Sequence, residues 1–438
     1  MKFLTAATMA LCLTITPSLS AAAGLIRDAE IERTLHRLSD PIFQVAGISP
    51  STVDIYILSD PTLNAFVAGG RNLFLNTGLL IELETPEELI GVIAHETGHI
   101  AGGHLAMRSI NVRNATGPAL AGLLLAIAAG VAGGGQAATA IAAGSQSIIR
   151  RTMLSFSRAE EASADAAALS YLARTRIDPT GFAKVLERFR GEEVFAIDNV
   201  DPYVLTHPLS TQRLQLVERR VDEDAPKAKK MPAETYYWHS RMRAKLEGFL
   251  KDPQRVLDEY EGAEETEFSL YAKTIALHRL PSEREAIKSV DRLISKRPSD
   301  PYYVELKGQI LYESGRVKEA VEQYRNSTKL APGEPLLKAG LGRALLALDT
   351  DASNREALKV LESVRRVDAR DAAAMRDLAV AYDRAGKPGM ASLATAERLA
   401  LRGSIKDAAL FANRAAAQLP EGSPGWLRAQ DILNLKKE

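Results

Sequence analysis

Apolar and polar residues alternate over short stretches near the start of the chain, with the period typical of β-strands. Val53–Leu58 alternates in this way, and Asn64–Asn76 does so on both sides of Gly69 and Gly70. These patterns predict one strand followed by a two-stranded hairpin. Ile26–Leu38 instead has the helical period and predicts an amphipathic helix before the first strand.

A second helix is predicted to begin after Thr85. Threonine can cap the first turn, Pro86 suits the first helical position, and Glu88 can complete a capping box. The apolar pattern then continues to about Arg108, and another helix is predicted over Arg158–Arg174. The first half of the chain is therefore predicted to be mainly α, with a small β-sheet.

The second half of the chain has a helical pattern that repeats. Ala286 and Ala320 lie 34 residues apart in matching contexts, and Asp349–Asn354 interrupts the period by a few residues. A period of this length with small residues at fixed positions is typical of tetratricopeptide repeats, in which antiparallel helix pairs stack into a superhelix with a concave groove. We predict such an all-α superhelix over residues 233–438, with degenerate terminal pairs; the alternative is a non-repeating helical bundle.

Residues 1–23 are predicted to be a cleaved secretory signal. A lysine precedes a short apolar core and then small residues, and the alternative is a short buried helix. The only cysteine, Cys12, lies inside this segment, so the mature chain would have no thiol for disulfides, catalysis or metal binding. The formal net charge of zero gives no reason to expect nucleic acid as a partner.

Residues 114–149 contain no charged side chain. We interpret them as a hairpin of two small-residue helices that covers an active site or makes peripheral contact with a membrane surface. The alternative is a transmembrane helix over residues 117–135, which is close to the length of a membrane span. The hairpin would belong to a first domain, residues 24–225, which a polar linker over residues 226–232 joins to the repeats.

The stretch His95-Glu-Thr-Gly-His99 carries the main chemical signal. Two histidines four residues apart on a helix project from one face, where neutral ring nitrogens can bind the same zinc ion. Glu96 lies between them and is placed to take a proton from the attacking water and pass it to the leaving amine. His104, nine residues after His95, would face the opposite side of an ideal helix, so we expect a packed or hydrogen-bonded residue rather than a ligand.

A zinc site of this kind needs a third protein ligand. Glu161 and Asp165 are four residues apart on the predicted helix, so one can bind zinc while the other holds the second nitrogen of a ligand histidine. Glu160 is the competing ligand, but it faces about 100° away and has no carboxylate four residues later. The remaining alternative is an exposed acidic helix start.

These motifs, together with Thr206-His207-Pro208 and Arg213, resemble the M48 family of zinc metallopeptidases. The resemblance implies a gluzincin-type domain with one Zn²⁺ per chain. His95, His99 and Glu161 would be metal ligands, Glu96 would be catalytic, and Asp165 would support a ligand. His207 would either occupy the open zinc position as a brake, acting as a fourth ligand in a latent state, or donate to the oxyanion during catalysis. Arg213 would orient a substrate carbonyl or carboxylate.

The segment Asn64-Ala65-Phe66 also matches the family and would offer a strand edge to an extended substrate. The signal and the repeats resemble an exported branch of the family, which implies the periplasm of a Gram-negative bacterium. There, unfolded or misassembled outer-membrane proteins would be the substrates and the barrel-assembly machinery a partner of the repeats. Two rival hypotheses are a chaperone or scaffold with a latent metal site and a membrane-anchored protease.

Overall fold

The part of the chain that the computed structural model describes is residues 24–104, 156–190, 207, 211–262 and 264–435. The predicted secretory signal and the uncharged segment 114–149 lie outside these residues. Within the described ranges, no helix is both long enough and apolar enough to cross a membrane.

Four short strands form one mixed sheet in the order β1-β2-β4-β3. β1 (Leu25–Ile26) pairs antiparallel with β2 (Asp54–Leu58), which runs parallel to β4 (Asn72–Asn76). β3 (Ala65–Ala68) pairs antiparallel with β4 through the turn that contains the two glycines. The predicted strand and hairpin are confirmed, and β3 lies at one edge of the sheet.

The first helix, α1, spans Ala29–Val45 and so begins and ends later than predicted. It begins later because Asp28 caps it: the carboxylate accepts the backbone N–H groups of Glu30 and Ile31 at 3.0 and 2.9 Å. The preceding residues join the sheet instead. The helix continues past Pro41, which the sequence pattern treated as lying beyond its end.

The short helix α2 (Thr77–Glu82) leads to α3 (Pro86–Ala101), which carries the histidine motif. The side chain of Thr85 accepts the backbone N–H of Glu88 at 3.4 Å, so the predicted cap is confirmed. The Glu88 carboxylate reaches back to the backbone N–H of Glu84 at 3.0 Å rather than to that of Thr85. The start of the motif helix is thus fixed by local hydrogen bonds.

The prediction that α3 continues to about Arg108 was wrong. The helix ends at Ala101, and Gly103 has a φ of 63°, in the left-handed region that glycine adopts without steric cost. The backbone N–H of Gly102 still bonds to the carbonyl of Gly98 at 2.9 Å. The chain therefore turns sharply directly after the motif.

The helices α4 (Arg158–Thr175) and α5 (Thr180–Arg188) pack against α3 together with α1, and α6 (Thr211–Asp224) packs on α4 and α5. The helices α3 and α4 cross very closely at Gly98, where an added Cβ would lie 2.8 Å from the carbonyl oxygen of Ala164. Only a glycine fits there, and the close crossing brings the two motif helices within side-chain reach of each other.

The rest of the described chain is a series of antiparallel helix pairs. The first helices of three successive pairs begin at residues 267, 301 and 335, which is the predicted step of 34. The helices of this array are α7 (Ala233–Leu250), α8 (Pro253–Glu259), α9 (Glu267–Arg279), α10 (Glu283–Lys296), α11 (Pro301–Glu313), α12 (Val317–Leu330), α13 (Pro335–Leu348), α14 (Asp351–Val367), α15 (Ala372–Arg384), α16 (Pro388–Leu401), α17 (Ile405–Gln418) and α18 (Pro424–Asn434).

The interruption predicted over Asp349–Asn354 lengthens one helix. The second helices α10 and α12 have 14 residues each, whereas α14 has 17. The next pair begins at residue 372 instead of 369, and the regular packing then resumes. The extra residues are thus absorbed within one repeat without breaking the stack.

A buried group of charged residues joins α1 to the array. Nε of Arg241, on α7, lies 2.5 Å from Glu30, and its Nη2 donates to Asp300 at 2.9 Å. Nζ of Lys245 lies 2.6 Å from Asp28 and 3.3 Å from Glu30. We call these five residues the arginine cluster, and they fix the array against the first helix of the chain.

A cavity of about 1110 Å³ lies between the sheet and the array. Ile26 and Tyr56 line it from β1 and β2, while Glu305, Tyr324 and Arg343 line it from the array. The array therefore faces strands β1, β2 and β4 across this cavity.

Candidate metal centre

Four of the predicted site residues converge on one point. His95 and His99 come from α3, Glu161 comes from the first turn of α4, and His207 comes from the segment before α6. Their potential ligand atoms all lie within 4.8 Å of one another, and all four residues are buried. Residues that are 112 positions apart in the sequence thus share one small volume.

Five of the six pairs of these residues have ligand atoms 3.1–3.4 Å apart. Nε2 of His95 lies 3.1 Å from Nε2 of His99, 3.3 Å from Nδ1 of His207 and 3.4 Å from Oε2 of Glu161. Oε1 of Glu161 lies 3.3 Å from Nε2 of His99 and 3.1 Å from Nδ1 of His207. Four electron-pair donors therefore face a common centre.

This arrangement fits a tetrahedral metal ion. Zinc bonds of about 2.0–2.1 Å to nitrogen and oxygen place neighbouring tetrahedral ligands ~3.3 Å apart, which is the spacing of these atoms. Neutral imidazoles and a carboxylate are also the donors that zinc accepts. The residues present therefore form a buried His/His/Glu/His group of the kind that holds zinc.

The charge balance of the site supports the same fit. Glu96, Glu161 and Asp165 are fully buried, and Arg213 is the cation that contacts two of them. With neutral histidines and all three acids ionised, which is the protonation state that metal binding requires, three carboxylates and one guanidinium carry a net charge of −2. Neither oxygen of Glu96 makes a hydrogen bond within the described residues. A buried carboxylate in this state is costly, and a divalent cation would remove the imbalance.

The two motif histidines have different surroundings. Nδ1 of His95 lies 2.9 Å from Oδ1 of Asp165. Burial alone would lower the pKa of His95, but Asp165 and Glu161 raise it to about 9. Burial lowers the pKa of His99 to about 2 despite the contact with Glu161. Without a metal, a proton is therefore taken up at His95, so protons and metal compete for the site.

The pKa values of the two glutamates of the site, Glu96 and Glu161, shift in opposite directions. Burial raises the pKa of Glu96, and the nearby His207 and His95 offset only part of this rise. Burial also acts to raise the pKa of Glu161, but contacts with His207, His95 and His99 hold it well below its usual range. Glu161 is thus suited to stay charged, whereas Glu96 is suited to hold a proton.

Arg213 lies behind the metal centre rather than in front of it. Its Nε and Nη2 donate to the two oxygens of Asp165 at 2.6 and 2.8 Å, and its Nη1 lies 2.7 Å from Glu161. Nη1 also donates to the backbone carbonyl of His207 at 3.4 Å. The Arg213 side chain is 2% exposed, and its donors face carboxylates of the site.

His207 touches more than the other ligand residues. Its Nε2 lies 3.3 Å from the carbonyl oxygen of Ala65 on β3 and 3.3 Å from Oε1 of Glu96. If Nδ1 faces a metal with its lone pair, Nε2 carries the hydrogen and donates to the Ala65 carbonyl. The ring thus lies between the metal centre, Glu96 and the edge strand.

The predicted substrate segment forms the beginning of the edge strand. Asn64, Ala65 and Phe66 have exposures of 8%, 0% and 6%. Phe66 stacks on Phe74 of β4 at a centroid distance of 4.9 Å. These side chains are packed, so an extended substrate at this edge would meet mainly backbone groups, such as the Ala65 carbonyl.

Phe156 was not among the sequence-predicted residues, yet its ring stacks on His99 at a centroid distance of 3.6 Å. Its position immediately before Ser157, which caps α4, was the available signal. His104 lies beside the ligand group, and its Nδ1 is 3.0 Å from Nδ1 of His99. The turn after α3, not the geometry of a continuous helix, puts it there.

Comparisons with known proteins agree with this site. The sequence pattern of "Peptidase family M48" matches residues 26–221. The beta-barrel assembly-enhancing protease of Escherichia coli (strain K12) is 24% identical over 413 residues, covering 92% of this chain and 82% of that protein. The protein of the same name from Yersinia pestis is 24% identical over 426 residues, with the same coverage. The likeness to both proteins extends through most of the helical array.

Other similar proteins match different shares of the chain. The mitochondrial metalloendopeptidase OMA1 of Schizosaccharomyces pombe is 28% identical over 193 residues, covering 44% of this chain and 52% of that protein. Among solved structures, yeast Tom70 is 11% identical with a TM-score of 0.33, covering 93% of this chain and 71% of that one. The family match ends at residue 221, so the array from α7 onward lies outside it.

Proposed function

We propose that residues 26–221, which match peptidase family M48, form a metalloendopeptidase. It would work with one zinc ion in the periplasm of a Gram-negative bacterium. We further propose that it degrades misfolded or misassembled outer-membrane proteins and assists their assembly. The observation that carries the zinc proposal is the convergence of four buried ligand residues, whose ligand atoms all lie within 4.8 Å of one another.

The proposed roles at the site follow from its geometry. Zinc held by the motif histidines and Glu161 would supply Lewis acidity to the scissile carbonyl and lower the pKa of the attacking water. Glu96 would accept the proton of that water and deliver it to the leaving nitrogen, for which its raised pKa is suited. Asp165 would fix the ring of His95. The edge strand β3 would bind substrate backbone, which tolerates many side-chain sequences.

For His207 we propose the brake rather than the oxyanion donor. Its Nδ1 completes the group of four ligand atoms, so the described geometry is that of a closed site without an open position. Its Nε2 lies near both Glu96 and the Ala65 carbonyl, two groups that substrate hydrolysis would require to be accessible. Activity would need the His207 ring to leave this position.

The proposed location and clients are supported by the relatives rather than by the site. The proteases of Escherichia coli and Yersinia pestis are named for enhancing beta-barrel assembly. The predicted signal, outside the described residues, agrees with export. An array of helix pairs presents a protein-binding surface, and we propose that it contacts clients or the barrel-assembly machinery. Sodium carbonate extraction of envelopes tests the membrane-anchored rival, in which the protein would stay in the pellet.

Three purified proteins test the catalytic proposal: wild type, Glu96→Gln and His207→Ala. Wild type and Glu96→Gln should each contain about one zinc ion per chain, while Glu96→Gln should cleave casein at least about 100-fold more slowly. His207→Ala should cleave faster than wild type if the ring is a brake and more slowly if it is an oxyanion donor. Cleavage by Glu96→Gln at the wild-type rate would disprove the catalytic role. Client refolding in the presence of Glu96→Gln, without cleavage by any form, would favour the chaperone alternative.

A further inference from the structure

His104 lies beside the metal centre without belonging to its ligand group. Its Nδ1 is 3.0 Å from Nδ1 of His99, the ring nitrogen of that ligand which does not face the centre. The two rings meet edge to face, with centroids 5.1 Å apart and planes at 75°. This contact therefore touches the metal centre from outside.

The turn after α3 is what brings His104 to this position. Gly103 takes a left-handed conformation that reverses the chain, and a Cβ added at Gly102 would lie 2.5 Å from Nε2 of His104. The His104 ring can therefore occupy this space only because Gly102 has no side chain. Two consecutive glycines and one histidine form a unit whose geometric result is the contact with His99.

The hydrogen on this contact has only one arrangement that leaves His99 free to bind metal. Nε2 of His99 must keep its lone pair for the ion, so in a neutral ring Nδ1 carries the hydrogen. That hydrogen then points along the 3.0 Å contact to the lone pair of Nδ1 of His104. His104 is thus an acceptor that selects the metal-binding tautomer of His99 and fixes its ring plane.

His95 has the equivalent support from a different chemical group. Its Nδ1 faces Oδ1 of Asp165 at 2.9 Å, so one motif histidine is held by a carboxylate and the other by an imidazole. Phe156 covers the face of His99 and restricts its rotation from another direction. The His99 ring is therefore fixed by a stacked aromatic ring and by one hydrogen-bond acceptor.

We propose that His104 is a positioning residue for the metal site: it accepts the Nδ1 hydrogen of His99, and Gly102 provides the space for it. The inference rests on the proposed metal site, since the contact has this role only if His99 binds an ion. It assigns a purpose to the third histidine of the motif region that is neither ligation nor simple packing.

Four variants of the full chain separate this role from simple packing. His104→Phe keeps a ring but removes the acceptor, whereas His104→Asn keeps an acceptor oxygen near the position of Nδ1. Gly102→Ala leaves His104 intact but obstructs its ring. His239→Phe is the matched control, because His239 is also fully buried but lies on α7, away from the centre.

The measurements are zinc affinity by competition with a chromophoric chelator and the visible absorption spectrum of the Co²⁺-substituted protein. His104→Phe and Gly102→Ala should weaken zinc binding by about 10–100-fold and alter the Co²⁺ spectrum. His104→Asn should bind zinc within about threefold of wild type, and His239→Phe should bind like wild type. Circular dichroism at the same temperature shows whether each variant is folded.

Wild-type affinity in folded His104→Phe would overturn the inference, and so would an affinity of His104→Asn as low as that of His104→Phe. Should His104→Phe not fold, the difference in zinc affinity between His104→Asn and Gly102→Ala still tests the inference. A wild-type protein that takes up neither zinc nor Co²⁺ would instead contradict the proposed metal site itself, so the two failures are distinguishable.

Discussion

The metal centre and the arginine cluster are both buried groups of charged side chains, but they differ in how well their charges are satisfied. In the arginine cluster, Arg241 and Lys245 face three carboxylates. Two of those carboxylates, Asp28 and Asp300, also accept backbone N–H groups as helix caps. The Arg241 guanidinium additionally lies 3.8 Å above the ring of Tyr303.

The metal centre has the opposite composition. Its histidine and carboxylate lone pairs point at one another, and Glu96 has no hydrogen bond within the described residues. In the arginine cluster every carboxylate faces a cation, whereas at the metal centre the lone pairs of four ligand residues face one another, an arrangement that a bound cation would stabilise. Burial of charge alone therefore does not identify a functional site; the imbalance between donors and acceptors does.

The largest loss of stability should come from disrupting the arginine cluster. Arg241→Met would leave Glu30 and Asp300 buried with too few donors, and we expect the free energy of unfolding to fall by about 3–5 kcal/mol. Urea unfolding at neutral pH measures this change. Lys307→Met is the control, because the Lys307–Asp291 pair is half-exposed and worth about 0–1 kcal/mol. If Arg241→Met and Lys307→Met lower the free energy of unfolding equally, the arginine cluster does not stabilise the contact between α1 and the array.

Removing the metal should lower the free energy of unfolding by a slightly smaller amount, and the change should be confined to the metal centre. Zinc at about 1000 times its Kd would stabilise the folded chain by about 4 kcal/mol, which chelation would remove. Hydrogen exchange should then accelerate in α3 and α4, whereas α11, which contributes to the arginine cluster, should keep its protection. Equal loss of protection in α11 would show that the two clusters are not independent.

Much of the metal centre could be predicted from local sequence, because its geometry is local. The spacing of His95 and His99 and that of Glu161 and Asp165 each correspond to one helical turn, so the side chains share a face without tertiary information. His207 lies in no such register, and only the resemblance to a family pointed to it. The stacking of Phe156 on His99 depends on the crossing of α3 and α4, which no local pattern specifies.

The arginine cluster could not be predicted in this way. Glu30 and Arg241 are 211 residues apart and each looks like an ordinary polar residue on an amphipathic helix. Repeat spacing predicted the helix pairs of the array, because each pair repeats a local unit. It gave no information on where the array meets α1, since that contact occurs once and has no periodic signature.

His239 provides a third kind of buried polar group. Neither ring nitrogen makes a hydrogen bond within the described part of the chain, and burial lowers the pKa of His239 to about 3. Between pH 6.5 and 3 the unfolded chain binds a proton there that the folded chain does not, so stability should fall as the pH falls. At pH 4 the loss from this residue is about 2–3 kcal/mol.

Urea unfolding at pH 7 and pH 4 measures this loss in wild type and in His239→Phe. The variant should lose about 2–3 kcal/mol less than wild type between the two pH values, because phenylalanine does not titrate. The acid sensitivity of the metal centre is common to both proteins and cancels in the comparison. An identical loss in the two proteins would mean that His239 is protonated in the folded chain.

The smallest expected effect concerns Glu305, which lies at the edge of the arginine cluster and faces the cavity. Burial raises the pKa of Glu305 to about 7, and Lys245 opposes this rise only in part. Between pH 4.5 and 7 the folded chain holds a proton that the unfolded chain releases, so this residue makes stability fall as the pH rises.

Glu305→Gln should therefore be more stable than wild type at pH 8 by about 1–2 kcal/mol, a value that allows for the partial exposure of Glu305. At pH 5 the two proteins should be similarly stable. Glu322→Gln, at an exposed position on α12, should show no such difference between the two pH values. If Glu305→Gln instead destabilised the chain at pH 8, the carboxylate would be ionised and paired, and the arginine cluster would have to include it as a sixth member.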